Sequence, residues 1–294
     1  MEMQKVYICY TIYHLLITII KSENQKEQIE IVLMDSIKDR NRLKTQLESK
    51  NYRVVIYHNW QNVEKSFLIN EIYIFNDCTS LGQLLHKKRI TYNLIEDGYG
   101  SLVYTKERVL FKKIVNFFRN LPQPGGFSKY CVSIEVTDKG AMEKDSRYNK
   151  IIEVRREELF NTVSEKIKQD LFDIFQVTPL NIDRYSAIII TQPLAADKWY
   201  KTRVTRFQSE KEQIEFYKNI INRLKNENYT VYMKVHPRDT CDYSMFDANI
   251  LEKNIPIELI GMLINRNFKI GITHSSTSID FIDFIDEKVK IFEL

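Results

Sequence analysis

What this chain has little of narrows its class. Its 294 residues include only four cysteines, eight glycines and six prolines. Cys9, Cys78, Cys131 and Cys241 stand far apart, with no Cys-x-x-Cys and no histidine at metal-ligand spacing. That argues against a disulfide framework and a zinc module, and it fits a reducing compartment. So few glycines and prolines leave little room for a disordered linker. Long apolar runs are missing too: Leu15–Ile20 is interrupted and falls well below membrane-spanning length. The amino terminus lacks a signal-peptide pattern, so a cytoplasmic protein is expected. Nor is there a strong excess of one charge. A net charge of +4, with basic residues spread evenly and no recognition motif, speaks against a nucleic-acid partner.

What is present is an ordinary globular composition, 44% hydrophobic and 28% charged, in a chain comfortable for two domains. The most informative stretch is Tyr229–Asp239, YTVYMKVHPRD. Tyr229, Val231, Met233 and Val235 alternate with Thr230, Tyr232 and Lys234, the period of a strand. Pro237 cannot donate to a ladder and biases His236 towards extended geometry, so the strand stops with His236 at its carboxyl edge. In open α/β sheets that edge is where ligands bind. An imidazole flanked by Lys234 and Arg238 suits an anionic ligand such as phosphate. A polar turn whose histidine only caps the chain fits the same residues.

The rest of the chain alternates strand and helix. Strands are expected at Lys5–Tyr10, Ile29–Met34, Arg53–Tyr57, Glu71–Phe75, Tyr92–Ile95 and Tyr130–Val136, with helices from Thr11, near Lys38–Lys50 and over Ser80–Lys88. Asn62–Leu68 is ambiguous. Thr11 is a plausible N-cap and puts His14 in the first helical turn, near the cleft, where it reads as a helix-surface histidine rather than a catalytic one. Lys106–Asn120 reads as a basic amphipathic helix, either core-facing with a solvated basic face or in contact with a membrane surface. Lys150–Gln176 mixes a short extended piece with a helix over Glu157–Phe175, and the pattern restarts around Val177–Arg184. Strands at Ala187–Thr191, up to His236, at Phe268–Ile272 and at Lys290–Leu294 then alternate with helices over Gln208–Asn228, near Pro256–Asn265 and over Ser278–Ile285. The expected fold class is α/β. The organisation is an amino-terminal domain over 1–150, a bridging segment over 151–185 and a carboxyl-terminal domain over 186–294.

Three stretches fall where a strand meets its following loop. Glu96-Asp97-Gly98 puts paired carboxylates on a turn, where a glycine with positive φ can aim one of them at a substrate hydroxyl as general base. His236-Pro237 is the second. The third is Ser275-Ser276-Thr277 opening a helix, where free N–H groups, the dipole and hydroxyls suit an anion, or where ordinary N-capping is all there is. Together they suit a transfer reaction: a carboxylate takes a hydroxyl proton while a histidine and a helix amino terminus stabilise a leaving phosphate. Asp280, Asp283 and Asp286 in IDFIDFID read as a polar stripe on a helix rather than a metal site.

The set EDG at 96–98, HP at 236–237 and SST at 275–277 resembles the bacterial sialyltransferases. CYTIYHLLIT near the start, TQPL at 191–194 and KVHPRD around the histidine are similar as well. The chain looks most like glycosyltransferase family 52, which includes lipooligosaccharide and capsule sialyltransferases. The resemblance spans nearly the whole chain in order and spacing. It implies a GT-B-like fold, two Rossmann-type domains with the active site between them, and no metal requirement or other cofactor. It implies transfer with inversion from CMP-sialic acid to a galactose-type hydroxyl of a glycan or glycolipid. By the same resemblance Asp97, with Glu96 beside it and Gly98 after it, takes the general-base position. His236, followed by Pro237, takes the position that assists the departing phosphate. Ser275 and Ser276 match the phosphate-binding hydroxyls, with Thr277 close by. Asp197, Glu210 and Glu212, nearer the HP motif, compete with Asp97 for the base. The family also contains transferases of other sugars, such as glucose or Kdo. A non-catalytic nucleotide-binding subunit of a capsule assembly complex is the alternative outside the enzymes. A homodimer and a peripheral contact with the inner membrane surface complete the expected partners.

Overall fold

The computed structural model describes residues 4–25, 28–57, 70–98, 101–102, 123–197, 207–276 and 278–291. The ambiguous stretch 62–68, the basic segment 106–120 and Thr277 lie outside them.

The chain divides into two compact units, Met1–Gln176 and Val177–Leu294. The first holds strands β1 Lys5–Cys9, β2 Ile29–Leu33, β3 Arg53–Ile56, β4 Glu71–Ile74, β5 Tyr92–Ile95, β6 Cys131–Val136 and β7 Ile151–Glu153. They form one seven-stranded sheet in the order β3-β2-β1-β4-β5-β6-β7. Every pairing in it is parallel. Its helices are α1 Ile12–Gln25, α2 Arg40–Ser49, α3 Ser80–Lys88, α4 Arg156–Asn161 and α5 Glu165–Phe175. The second unit holds β8 Ser186–Ile190, β9 Thr230–Lys234, β10 Asn249–Leu251, β11 Phe268–His274 and β12 Ile285–Ile291, with α6 Glu210–Asn226 and α7 Ile257–Leu263. Its five strands are also parallel throughout, in the order β10-β9-β8-β11-β12. Residues 151–185 fall on both sides of the division.

Both units therefore share one winding. The chain steps outward from the first strand through two neighbours, then returns to the first strand's other side. Strand order reverses between β1 and β4 in one unit and between β8 and β11 in the other. This is the Rossmann-like pattern, and such a reversal opens a crevice beyond the strands' carboxyl ends. Strands covered on both faces read as continuous apolar runs. Accordingly all of Ile29–Leu33 and Ser186–Ile190 is buried.

The helix boundaries follow from local chemistry. The Thr11 hydroxyl accepts the His14 N–H at 3.1 Å and starts α1. Ser164 does the same for Ile167 at 3.3 Å. It splits the single helix expected over Glu157–Phe175 into α4 and α5. In α6, Ser209 accepts the Glu212 N–H while the Glu212 carboxylate accepts the Gln208 N–H, a reciprocal cap that satisfies two end donors. Arg89 (φ 61°) and Gln176 (φ 54°) close α3 and α5 in the left-handed conformation.

Another expectation fails. No α-helix runs over Ser278–Ile285. Ser278–Phe281 is a four-residue 3-10 turn, and β12 starts at Ile285. Asp280, Asp283 and Asp286 are therefore not a helical stripe. Asp280 pairs with Lys290 at 2.5 Å, and Asp286 accepts from Asn267 at 3.1 Å. Phe284 and Ile285 are buried instead, because the chain needs apolar residues entering the edge strand.

Candidate functional site

In the first unit the site grows from the end of β5. Glu96 and Asp97 are adjacent but do different things. Glu96 is buried, and its Oε2 accepts the Thr137 N–H at 2.8 Å, so it closes the β5–β6 edge rather than meeting a ligand. Its carbonyl accepts from Arg156 Nη2 at 3.3 Å. Arg156 and Lys21 both pair with Glu135, so each buried charge there has a partner of opposite sign. Asp97 points elsewhere: its side chain is 41% exposed, and its Oδ1 lies 2.5 Å from His14 Nε2. Gly98 does not adopt the positive φ expected of it. A Cβ there would meet no described atom within 4 Å. The turn instead closes through the Ser101 N–H donating to the Gly98 carbonyl at 2.9 Å.

His14 is not a surface residue. It is buried at 1% exposure, with its ring stacked on Phe75 at 4.1 Å between centroids. Its Nδ1 accepts the Tyr10 backbone N–H at 3.1 Å. That acceptor role leaves the ring hydrogen on Nε2, which donates to Asp97. Only one signal in the sequence pointed this way: a histidine at the third position of a helix that starts directly beyond β1.

Nearby, Asp77 is a buried carboxylate with a purely structural task. It accepts from the Gly125 and Gly126 N–H groups at 2.5 and 2.9 Å and from the Tyr92 hydroxyl at 3.0 Å. Both glycines have positive φ, which lets their amides turn onto one carboxylate.

In the second unit, His236 stands two residues beyond β9, half-buried. Its backbone N–H donates to Thr191 Oγ1 at 3.0 Å, and its Nδ1 accepts the Arg238 N–H at 3.1 Å. Thr191, at the end of β8, donates in turn to Asp239 at 2.8 Å. Asp239 is fully buried and also accepts from Gln213 Nε2 at 3.0 Å and from the Tyr243 hydroxyl at 2.9 Å. The Gln213 side chain further binds the Gln192 carbonyl and the Ala195 N–H. This network explains why TQPL and KVHPRD occur together: the two loops and α6 are stapled through one carboxylate and one amide. Thr191, Gln213 and Asp239 were missed from sequence because the bonds that join the two loops and α6 span 18 to 48 residues.

Burial above all, then the positive charges of Arg238, Lys234 and Lys253, push the His236 imidazole down to about 4. At neutral pH it is uncharged, with Nδ1 accepting and Nε2–H available as a donor. Lys234 does not flank the ligand edge as expected. It is buried in the strand, its ammonium donates to the carbonyls of Val235 and Lys253, and burial lowers it to about 8. Pro237 is exposed, and the ladder ends before it, at Lys234, rather than at His236 as expected.

Ser275 lies at the end of β11, on the other side of β8 from His236, so both loops stand at one sheet edge. It has a φ of 58°, and its Oγ lies 2.5 Å from His274 Nδ1. Ser276 is buried. With no α-helix following, the anion-binding argument loses its dipole, leaving hydroxyls and turn amides.

The three competing acids are occupied locally. Asp197 pairs with Arg238 at 2.8 Å, Glu210 accepts from the Thr240 hydroxyl at 2.5 Å, and Glu212 caps α6. Asp97 differs from them in its partner, a buried histidine.

Two Rossmann-like units with polar side chains at the carboxyl edges of parallel sheets define an α/β protein of the kind that handles nucleotide-linked substrates. The chain belongs to glycosyltransferase family 52, whose family model matches residues 1–294, and it is a glycosyltransferase. No curated protein matches the chain. Among the described residues no helix is long and apolar enough to cross a membrane.

Proposed function

We propose that this protein is an inverting sialyltransferase that needs no metal and moves sialic acid from CMP-sialic acid to a galactose-type hydroxyl of a bacterial surface glycan. In this reading the two units are the halves of a GT-B-like enzyme, with the donor held by the second. The observation that carries it is Asp97, a half-exposed carboxylate fixed by a buried histidine directly beyond a parallel strand. The acceptor hydroxyl gives its proton to Asp97 as its oxygen forms the new bond to the anomeric carbon. The bond from that carbon to the phosphate oxygen breaks, and its electron pair leaves with CMP. His236 donates from Nε2 to the phosphate as negative charge grows on it, and Ser275 and Ser276 offer hydroxyls to the same group. Peripheral contact with the membrane surface, through the basic segment 106–120, belongs to the same reading.

Calorimetric titration with CMP and then UDP, in EDTA, tests the donor. CMP binding with little UDP binding supports it, and transfer from a panel of CMP- and UDP-sugars onto lactose then names the sugar. UDP preference, or transfer only from UDP-hexoses, overturns the sialyl assignment. Binding of neither favours a non-catalytic subunit.

A further inference from the structure

We propose that His14 is the positioning residue for the base: a neutral imidazole that fixes the Asp97 carboxylate and leaves its second oxygen for the acceptor hydroxyl. The inference rests on the reading of Asp97 as general base.

The geometry restricts what His14 can do. Its Nδ1 is already used as an acceptor by the Tyr10 N–H, so the imidazole carries its hydrogen on Nε2 and aims it at Asp97 Oδ1, 2.5 Å away. Taking a second proton would place two hydrogens between Nδ1 and the Tyr10 nitrogen. His14 is thus a donor to the carboxylate and not a relay that passes the proton on. Stacking on Phe75 and edge contacts with Tyr10 and Tyr13 hold the ring plane. The Thr11 cap fixes the backbone that carries it. Four elements converge here: β1 through Tyr10, α1 through His14, the end of β4 through Phe75, and the end of β5 through Asp97. A carboxylate on a turn beside an open glycine would otherwise sample several rotamers, and general-base catalysis depends on a fixed approach.

The charged and titratable groups around the pair are bonded elsewhere. Glu96, directly after β5, accepts from the Thr137 N–H, and Lys21 on α1 and Arg156 on α4 bind Glu135 on β6. The Tyr10 hydroxyl lies 3.4 Å from Thr79 Oγ1 on the loop after β4. This leaves His14 as the side chain bonded to Asp97 among the described residues.

The test uses the full chain, the sugar nucleotide that wild type turns over in the panel above, and lactose. Asp97→Asn, His14→Phe and His14→Gln are compared, with melting temperature as the fold control. His14→Phe keeps a flat ring on Phe75 and deletes the bond to Asp97; His14→Gln keeps an amide donor. The expected result is that His14→Phe lowers kcat by about 10²-fold with KM little changed. The acidic limb of its kcat/KM profile moves to higher pH, because a carboxylate that loses a donor holds its proton more tightly. His14→Gln recovers most of the rate and the wild-type profile. A merely structural histidine would lower the amplitude and leave the limb in place, which overturns the proposal. So does a folded His14→Phe within threefold of wild type while Asp97→Asn is inactive. If His14→Phe does not fold, a folded but inactive His14→Gln overturns the proposal and an active one supports it. An active Asp97→Asn removes the base itself, and the proposal with it.

Discussion

His236 is a histidine that the protein keeps uncharged beside several positive charges. Burial is the main reason, and Arg238, Lys234 and Lys253 add to it. Under the proposed mechanism a neutral Nε2–H still suffices, because the phosphate it faces brings the charge. His236→Ala should cost about 2–4 kcal/mol of transition-state stabilisation, the range for losing one preorganised donor to a developing anion. A loss of activity under tenfold removes His236 from the reaction. The same residue makes stability depend on pH. Folded, it takes its proton only near pH 4; unfolded, near the ordinary value of 6.5. Between those limits the unfolded chain binds more protons, so stability rises with pH there. The contribution is complete above about pH 6.5 and is lost as pH falls towards 4. Thermal melts of wild type and His236→Gln from pH 7.5 to 4.5 check this: wild type should lose more, and parallel curves would refute it.

At the scale of elements, two glycines should respond differently to the same substitution. Gly82 lies in α3 with no space beside it, since a Cβ there would fall on the Asp77 carbonyl. Gly82→Ala should therefore cost about 1–3 kcal/mol, the usual range for overpacking, and disturb the loop that holds Asp77 against Gly125 and Gly126. Among the described residues nothing crowds a Cβ at Gly98, and its φ is not positive, so Gly98→Ala should change stability by less than about 0.5 kcal/mol. Denaturant unfolding of both variants checks the pair. If Gly98→Ala is as stable as wild type yet slow in transfer, the missing side chain makes room for substrate. The contrast between strand ends is instructive here. Glu96, Asp97 and Gly98 read as one acidic turn in sequence, but the buried position directly after β5 goes to Glu96 and the part-exposed turn position to Asp97. The Thr137 amide decides which carboxylate is structural. Local pattern shows two acids at an edge and cannot separate them.

Across the whole molecule, each unit has its own parallel sheet and its own apolar core. If the donor belongs to the second unit, CMP should raise the melting transition of that unit. At a concentration of a hundred times Kd the gain is about 2.7 kcal/mol. Asp97→Asn, in the first unit, should leave that increment unchanged. Scanning calorimetry with and without CMP checks this, and a lost increment would place Asp97 in donor binding instead.

The elements themselves were legible in the sequence because their causes are local. Continuous apolar runs made β1 and β8, a period-two run made β9, and a hydroxyl before an apolar-periodic run started α1. The positions of Asp97, His236 and Ser275 at strand ends followed from the same signals. Tertiary structure alone decided how those ends were used. His14 and Asp97 lie 83 residues apart, and only the β1-β4-β5 order brings the start of α1 over the end of β5. Thr191 and Asp239, 48 residues apart, meet because β8 and β9 are neighbours. The helix expected after Ser276 gave way because pairing with β11 satisfies the backbone of Ile285–Ile291, and edge pairing outweighed a helical spacing of apolar residues. Propensity and periodicity act over a few residues; burial and hydrogen-bond satisfaction act over the whole fold, and the functional side chains answer to the latter.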